Sequence, residues 1–180
     1  MRLNKNFYTQ PTLKLSRQLL GKFLVRKIGG KTIVGKIIET EGYVGPNDLA
    51  SHASRGRTKR TELMFGPNGY WYIYLIYGIY YCLNIVTEKN DYPAAILIRA
   101  VQPISGLKTD LKTDGPGKLC RAFKIDKKLN GSPAFGKKSR LWIEDRGVKI
   151  EAGQIKKTPR IGIDYAGAYK NKPWRFYIKN

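Results

Sequence analysis

The chain has 180 residues, 42% of them hydrophobic, and a formal net charge of +21. This length suits one domain, residues 1–180, with a core of its own, and the composition is not that of a disordered chain. No window approaches the ~20 unbroken apolar residues of a membrane span, and one His with two isolated cysteines argues against a structural zinc site.

Taken in chain order, Thr12 is placed to cap a short helix over Leu13–Leu20, with Gly21 as its stop. Phe23–Ile28 and Thr32–Thr40 read as two strands around a Gly29-Gly30 turn. Gly45-Pro46-Asn47-Asp48 breaks the chain, and Asp48 is placed to cap one helical turn through His52. A basic loop, SRGRTKRT, follows at 54–61. Tyr70–Leu75 and Ile79–Thr87 form a second strand pair with Ile76-Tyr77-Gly78 at its tip, and Ala94–Val101 is an apolar strand ended by Pro103. A helix over Lys118–Ile125 follows GPG, then short strands near Leu141–Glu144, Arg160–Ile163 and Trp174–Ile178. The polar stretch Lys127–Lys138 reads as a mobile loop. Hairpin-length links and an excess of strands predict an α+β domain on a curved, mostly antiparallel, barrel-like β-sheet with a few flanking helices.

Charge and aromatics are unevenly spread. Residues 1–60 hold 13 Lys/Arg against 3 Asp/Glu, residues 61–120 hold 5 against 5, and residues 121–180 hold 16 against 5. The neutral middle contains the run Tyr70–Tyr81, in which seven of twelve residues are aromatic. Basic flanks favour a polyanionic partner, and flat side chains suit a base taken from its stack. The N-terminus has no apolar run of signal type, which predicts a cytoplasmic protein with no membrane partner.

Acidic residues are few, so their positions matter. In GKIIETEGYVGP, period two puts Glu39, Glu41 and Tyr43 on one strand face. A cross-sheet salt bridge to Arg99 explains such carboxylates, and so does activation of a water beside an aromatic pocket. Arg99 lies in the apolar AAILIRAVQP and needs an anionic partner, for which Glu41 is the candidate. His52 is a packed residue, a ring that stacks on a ligand, or a backbone N–H donor. Tyr70, Tyr72 and Tyr74 share a face, as do Trp71, Ile73 and Leu75. Tyr77 at a hairpin tip is unexpected for core and suits a wedge between bases. Asn84, in apolar company, satisfies backbone groups or reads a base edge. Arg55, Arg57, Arg60 and Lys118 are candidate phosphate contacts.

ETEGYVGPNDLASHASRGRT, MFGPNGYWYIYLIYGIYYCLNIVT, AAILIRAVQP, GPGKLC and PRIGIDYAGAYKNKPWRFYI, in this order, closely resemble the alkyladenine (methylpurine) DNA glycosylases over nearly the whole chain. The resemblance implies a monofunctional, monomeric enzyme without metal or cofactor that excises alkylated or deaminated purines from damaged double-stranded DNA. It implies that Glu41 is the general base for water, that Arg99 and the Ile161 carbonyl position that water, and that Tyr43, His52 and Tyr74 wall the flipped purine. It further implies that Asn84 disfavours guanine and that Tyr77 fills the gap left in the duplex. Gly42 stands where the family's ETEAY motif has alanine, Ile79 where some members have methionine, and the basic loop after Gly56 is shorter than in some members. A non-enzymatic basic RNA- or DNA-binding protein also explains the charge and aromatics, but does not require Glu41, Arg99 and Tyr43 to converge.

Overall fold

A computed structural model describes residues 1–108 and 110–179. Two helices, α1 (Thr12–Gln18) and α2 (Pro116–Ala122), accompany eight strands: β1 (Phe23–Ile28), β2 (Lys31–Val44), β3 (Trp71–Ile76), β4 (Tyr80–Val86), β5 (Ala94–Ser105), β6 (Leu141–Glu144), β7 (Ile155–Thr158) and β8 (Arg175–Ile178). The protein is α+β and mostly sheet. Every pairing is antiparallel, in the order β3-β4-β5-β2-β1-β6, and β8 joins both β2 and β7.

Local sequence accounts for the turns. Gly29 and Gly30 hold φ +54 and +74, which brings Ile28 opposite Lys31 in a two-residue hairpin. Strand β2 runs past the expected Thr40 to Val44, because its second half is held on both flanks, by β5 and β8. Strand β5 likewise continues through Pro103, which sits opposite Gly35 at a register shift, where a missing N–H is tolerated.

Several expectations are corrected. Thr12 opens α1 instead of capping it, and its Oγ1 donates to Glu88 Oε1 at 2.6 Å. Asp48 caps the turn that follows it, accepting from the Ala50 N–H at 3.1 Å, but that turn does not run on through His52: a separate 3-10 helix, His52–Arg55, is capped by Ser51. Residues 160–163 are not a strand; β7 lies just before them, and the chain leaves the sheet so that Arg160 can reach Asp48. The 127–138 stretch is tied to the β3 edge: the Gly131 N–H donates to the Trp71 carbonyl, the Trp71 N–H to the Ser132 carbonyl and the Ala134 N–H to the Gly69 carbonyl. It covers backbone groups that an open edge would leave unpaired.

One face of the sheet carries the main core, in which Trp71, Ile73, Leu83, Ile85, Ile96 and Ile98 pack with Phe123 and Phe176. Burying each such side chain contributes about 1.5–3 kcal/mol. The Trp71 indole N–H donates to the Leu141 carbonyl at 3.0 Å and so joins the two edge strands, β3 and β6, across the curled sheet. The opposite face of the central strands is left for polar and aromatic side chains.

Candidate active site

Four strands each contribute one residue to a straight row across that second face. Tyr72 pairs with Asn84, Asn84 with Leu97, and Leu97 with Glu41. Directly paired residues share a face, so the register alone brings these side chains together. Glu41 owes its place to a β-bulge. The register of β2 against β5 shifts on both sides of Glu39. Ile37 before the shift is core, while Thr40 after it turns toward α1, where its Oγ1 donates to the Ser16 carbonyl. Strict alternation from Ile37 would have sent Glu39 and Glu41 into the core; the bulge reverses the parity. Gly42 also faces α1, and a Cβ there would lie 2.8 Å from Leu13 Cδ2, so the glycine lets helix and strand approach closely.

Glu41 lines a hollow, yet its own exposure is 0%. The Tyr43 hydroxyl donates to Oε2 at 2.9 Å, the Ile161 N–H donates to Oε1 at 3.1 Å, and Arg99 Nη1 lies 3.6 Å from Oε1. Burial raises the Glu41 pKa above its usual value, while Arg99, the Ile161 N–H and the Tyr43 hydroxyl pull it back down. Arg99 pairs with Glu41, as the sequence suggests, and lies closer still to Glu39, at 3.0 Å from Nε. Glu39 also pairs with Arg175, so one carboxylate holds two guanidinium groups and Arg99 is fixed beside Glu41. Ile161 meets Glu41 through its backbone N–H.

Tyr43, His52, Tyr72 and Tyr74 line the same hollow. The His52 and Tyr74 rings lie 4.5 Å apart and edge to face, and His52 Nδ1 is 3.1 Å from the Tyr72 hydroxyl. Burial, then Arg60 and Arg55, lower the His52 pKa to about 4, so the ring is neutral at pH 7. Burial pushes the Tyr72 hydroxyl up to about 12 and those of Tyr43 and Tyr74 well above their usual value, so all three remain protonated. Asn84 donates from Nδ2 to the Tyr72 carbonyl at 3.1 Å, so it satisfies a backbone group, and it also borders the hollow. Tyr70 is not among these residues; its ring meets Phe135, 5.6 Å away.

Tyr77 stands at the β3–β4 tip, 82% exposed, with φ +53 beside Gly78 at +71. A tyrosine in this left-handed state is strained. Arg57 is engaged by Glu62 and Asp91, and Lys118 by Asp114, whereas Arg60 lies over the Tyr74 ring at 5.4 Å. Among the described residues, Arg55 and Arg60 have no carboxylate partner.

Sequence reasoning missed a buried clamp. Asp48 and Arg160 form a two-pronged ion pair, with Nη1–Oδ2 at 2.6 Å and Nη2–Oδ1 at 2.8 Å, and both side chains are 0% exposed. Arg160 also donates to the Gly42 carbonyl and lies 4.7 Å from the centre of the Tyr43 ring. It thereby braces Gly42 and Tyr43, the two residues that follow Glu41. Its isolated place in PRIG carries no periodic signal that could have disclosed this. Cys82, read as a plain buried hydrophobe, is buried but also lines the hollow. Its alternation with Asn84 along β4 was the available clue.

No helix among the described residues is long and apolar enough to cross a membrane, and no group of three His, Cys, Asp or Glu side chains among them is placed to hold a metal ion. Comparison with known proteins gives one consistent result. The family model described as Methylpurine-DNA glycosylase matches residues 6–180. A protein of Methanocella arvoryzae is 48% identical over 99% of this chain and 92% of its own length. One of Alkaliphilus oremlandii is 45% identical over 100% of this chain and 96% of its own, and one of Myxococcus xanthus is 43% identical over 99% and 90%. All three are named, provisionally, 3-methyladenine DNA glycosylase.

Proposed function

Because this chain belongs to the methylpurine-DNA glycosylase family, we propose that it hydrolyses the N-glycosidic bond of alkylated or deaminated purines flipped from duplex DNA. The observation that carries this reading is the Glu41 carboxylate at the wall of an aromatic hollow, fixed by Tyr43, Ile161 and Arg99.

Departure of the base leaves a sugar with oxocarbenium character. Glu41 takes a proton from the attacking water and faces the positive charge that develops on the sugar. Oε1 accepts one hydrogen bond, from the Ile161 N–H, with Arg99 Nη1 3.6 Å away, and Oε2 accepts one from the Tyr43 hydroxyl, so each oxygen keeps a lone pair that a water can use. Arg99 and the Ile161 carbonyl orient that water. Tyr43, His52 and Tyr74 hold the purine between them. An N-alkylated purine is a cation, which stacks well on electron-rich rings. A neutral His52 does not repel it, and a pKa of about 4 keeps the ring neutral at working pH. Asn84 discriminates against guanine at the base edge. Tyr77 wedges into the vacated stack, and Arg55, Arg57, Arg60 and Lys118 hold phosphates.

The test uses duplex DNA carrying one hypoxanthine or ethenoadenine, without added metal, with release of the base read as an abasic site. Wild type is expected to produce it. Glu41→Gln is expected to lose about 10²–10⁴-fold in single-turnover rate, with duplex binding retained. Excision by Glu41→Gln at the wild-type rate would remove the carboxylate from the mechanism, and no product from wild type would remove the activity.

A further inference from the structure

We propose that a groove beside β1 and β6, where the sheet curls toward its other edge, is a second anion site, built to take a phosphate group. Its floor is Arg26, only 7% exposed. Arg26 pairs with Ile33 on one side and Leu141 on the other, both core residues, so it lies on the sheet face opposite Glu41. Nη1 donates to the carbonyls of Lys27 at 3.2 Å and Arg140 at 3.3 Å. Nε is buried with no hydrogen-bond partner, and Asp126, the carboxylate whose charge acts on the guanidinium, forms no ion pair with it. A buried guanidinium with an unfilled donor and no paired carboxylate is costly, and an anion is what completes it.

The groove beside it measures about 750 Å³. Exposed Lys124, Lys128, Lys137, Lys138 and Arg140 line it, against one carboxylate, Asp126, whose Oδ1 is occupied by the Lys128 N–H at 2.9 Å. Lys124 holds φ +50 just past α2, a backbone state that glycine fills at less cost. The strain is thus carried by a residue that adds a cation to the groove. Six cations around one partly occupied carboxylate match the several oxygens of a phosphate, which the guanidinium fork of Arg26 engages best. The phosphate comes either from a free anion such as pyrophosphate or from a nucleic-acid backbone segment away from the base hollow.

Calorimetric titration of the full chain with sodium pyrophosphate at fixed ionic strength, together with duplex binding at two lengths, tests the site. The variants are Arg26→Gln and, in case that one fails to fold, the exposed double variant Lys124→Ala/Lys138→Ala. For a free anion, wild type binds one equivalent and the double variant weakens it by about tenfold or more, while duplex affinity and excision are unchanged. For a backbone source, the double variant weakens a duplex of about 30 base pairs but not one of about 10, which covers little beyond the base hollow. Either result supports the site. Pyrophosphate binding that is absent or unmoved by both variants, with duplex affinity unmoved at both lengths, overturns it.

Discussion

In the proposed reaction Glu41 accepts a proton at a place where burial penalises its ionisation. Its folded pKa is raised above the ordinary 4.5 by burial. For this group the folded state is therefore favoured fully below pH 4.5, and that contribution is lost as pH rises through the raised value. Two outcomes follow from the sign. The acid limb of the single-turnover excision profile should begin above pH 4.5; a limb at or below that value would contradict the burial argument. Glu41→Gln, which ends the ionisation while leaving an oxygen for the Ile161 N–H, should unfold at pH 8 at a temperature equal to or above wild type. A lower midpoint in thermal unfolding would show that the charge, with Arg99, is net stabilising. Removing Asp48 strands the 0%-exposed Arg160, so Asp48→Ala should cost about 3–5 kcal/mol in denaturant unfolding. A cost under ~1 kcal/mol would mean that water replaces the carboxylate.

At the scale of elements, the site is made by register and by one extra residue. Strands β3, β4, β5 and β2 supply Tyr72, Asn84, Leu97 and Glu41 in line, and the bulge at Glu39 turns the carboxylates out of the core. The β3–β4 hairpin extends a strained, 82%-exposed Tyr77 that packs little within the protein. Tyr77→Ala should therefore leave thermal stability within about 0.5 kcal/mol and undamaged-duplex affinity nearly intact. Excision should slow by roughly 10–100-fold, the equivalent of a few kcal/mol of unstacking no longer offset. Unchanged excision kinetics would deny the wedge. The tie of residues 130–134 to β3 belongs to this scale as well, since it closes an edge that a free loop would leave open.

For the whole molecule, the net charge of +21 sets a salt dependence. Arg55 and Arg60 lack carboxylate partners, whereas Arg57 and Lys118 already have them. Arg55→Ala and Arg60→Ala should each reduce the slope of log affinity against log salt by about 1, and Lys118→Ala by less. Equal effects would mean that DNA displaces the internal pairs at no cost. How much of this molecule was legible in advance follows from the range of the forces involved. Glycine pairs, alternation and the PNG and GPG breaks are local, so both hairpins, both helices and the α+β class could be read along the chain to within a few residues. The aromatic run, the scarce acids and the five matching motifs likewise exposed Glu41, Arg99, Tyr43, His52, Tyr74 and Asn84 as candidates. What the fold alone decided is what depends on distant partners: the bulge that reverses the β2 parity, the sharing of Arg99 between Glu39 and Glu41, the Asp48–Arg160 clamp 112 residues apart, and the seam where Trp71 meets Leu141. A side chain's local period says which way it points, but only the folded sheet determines what it meets there.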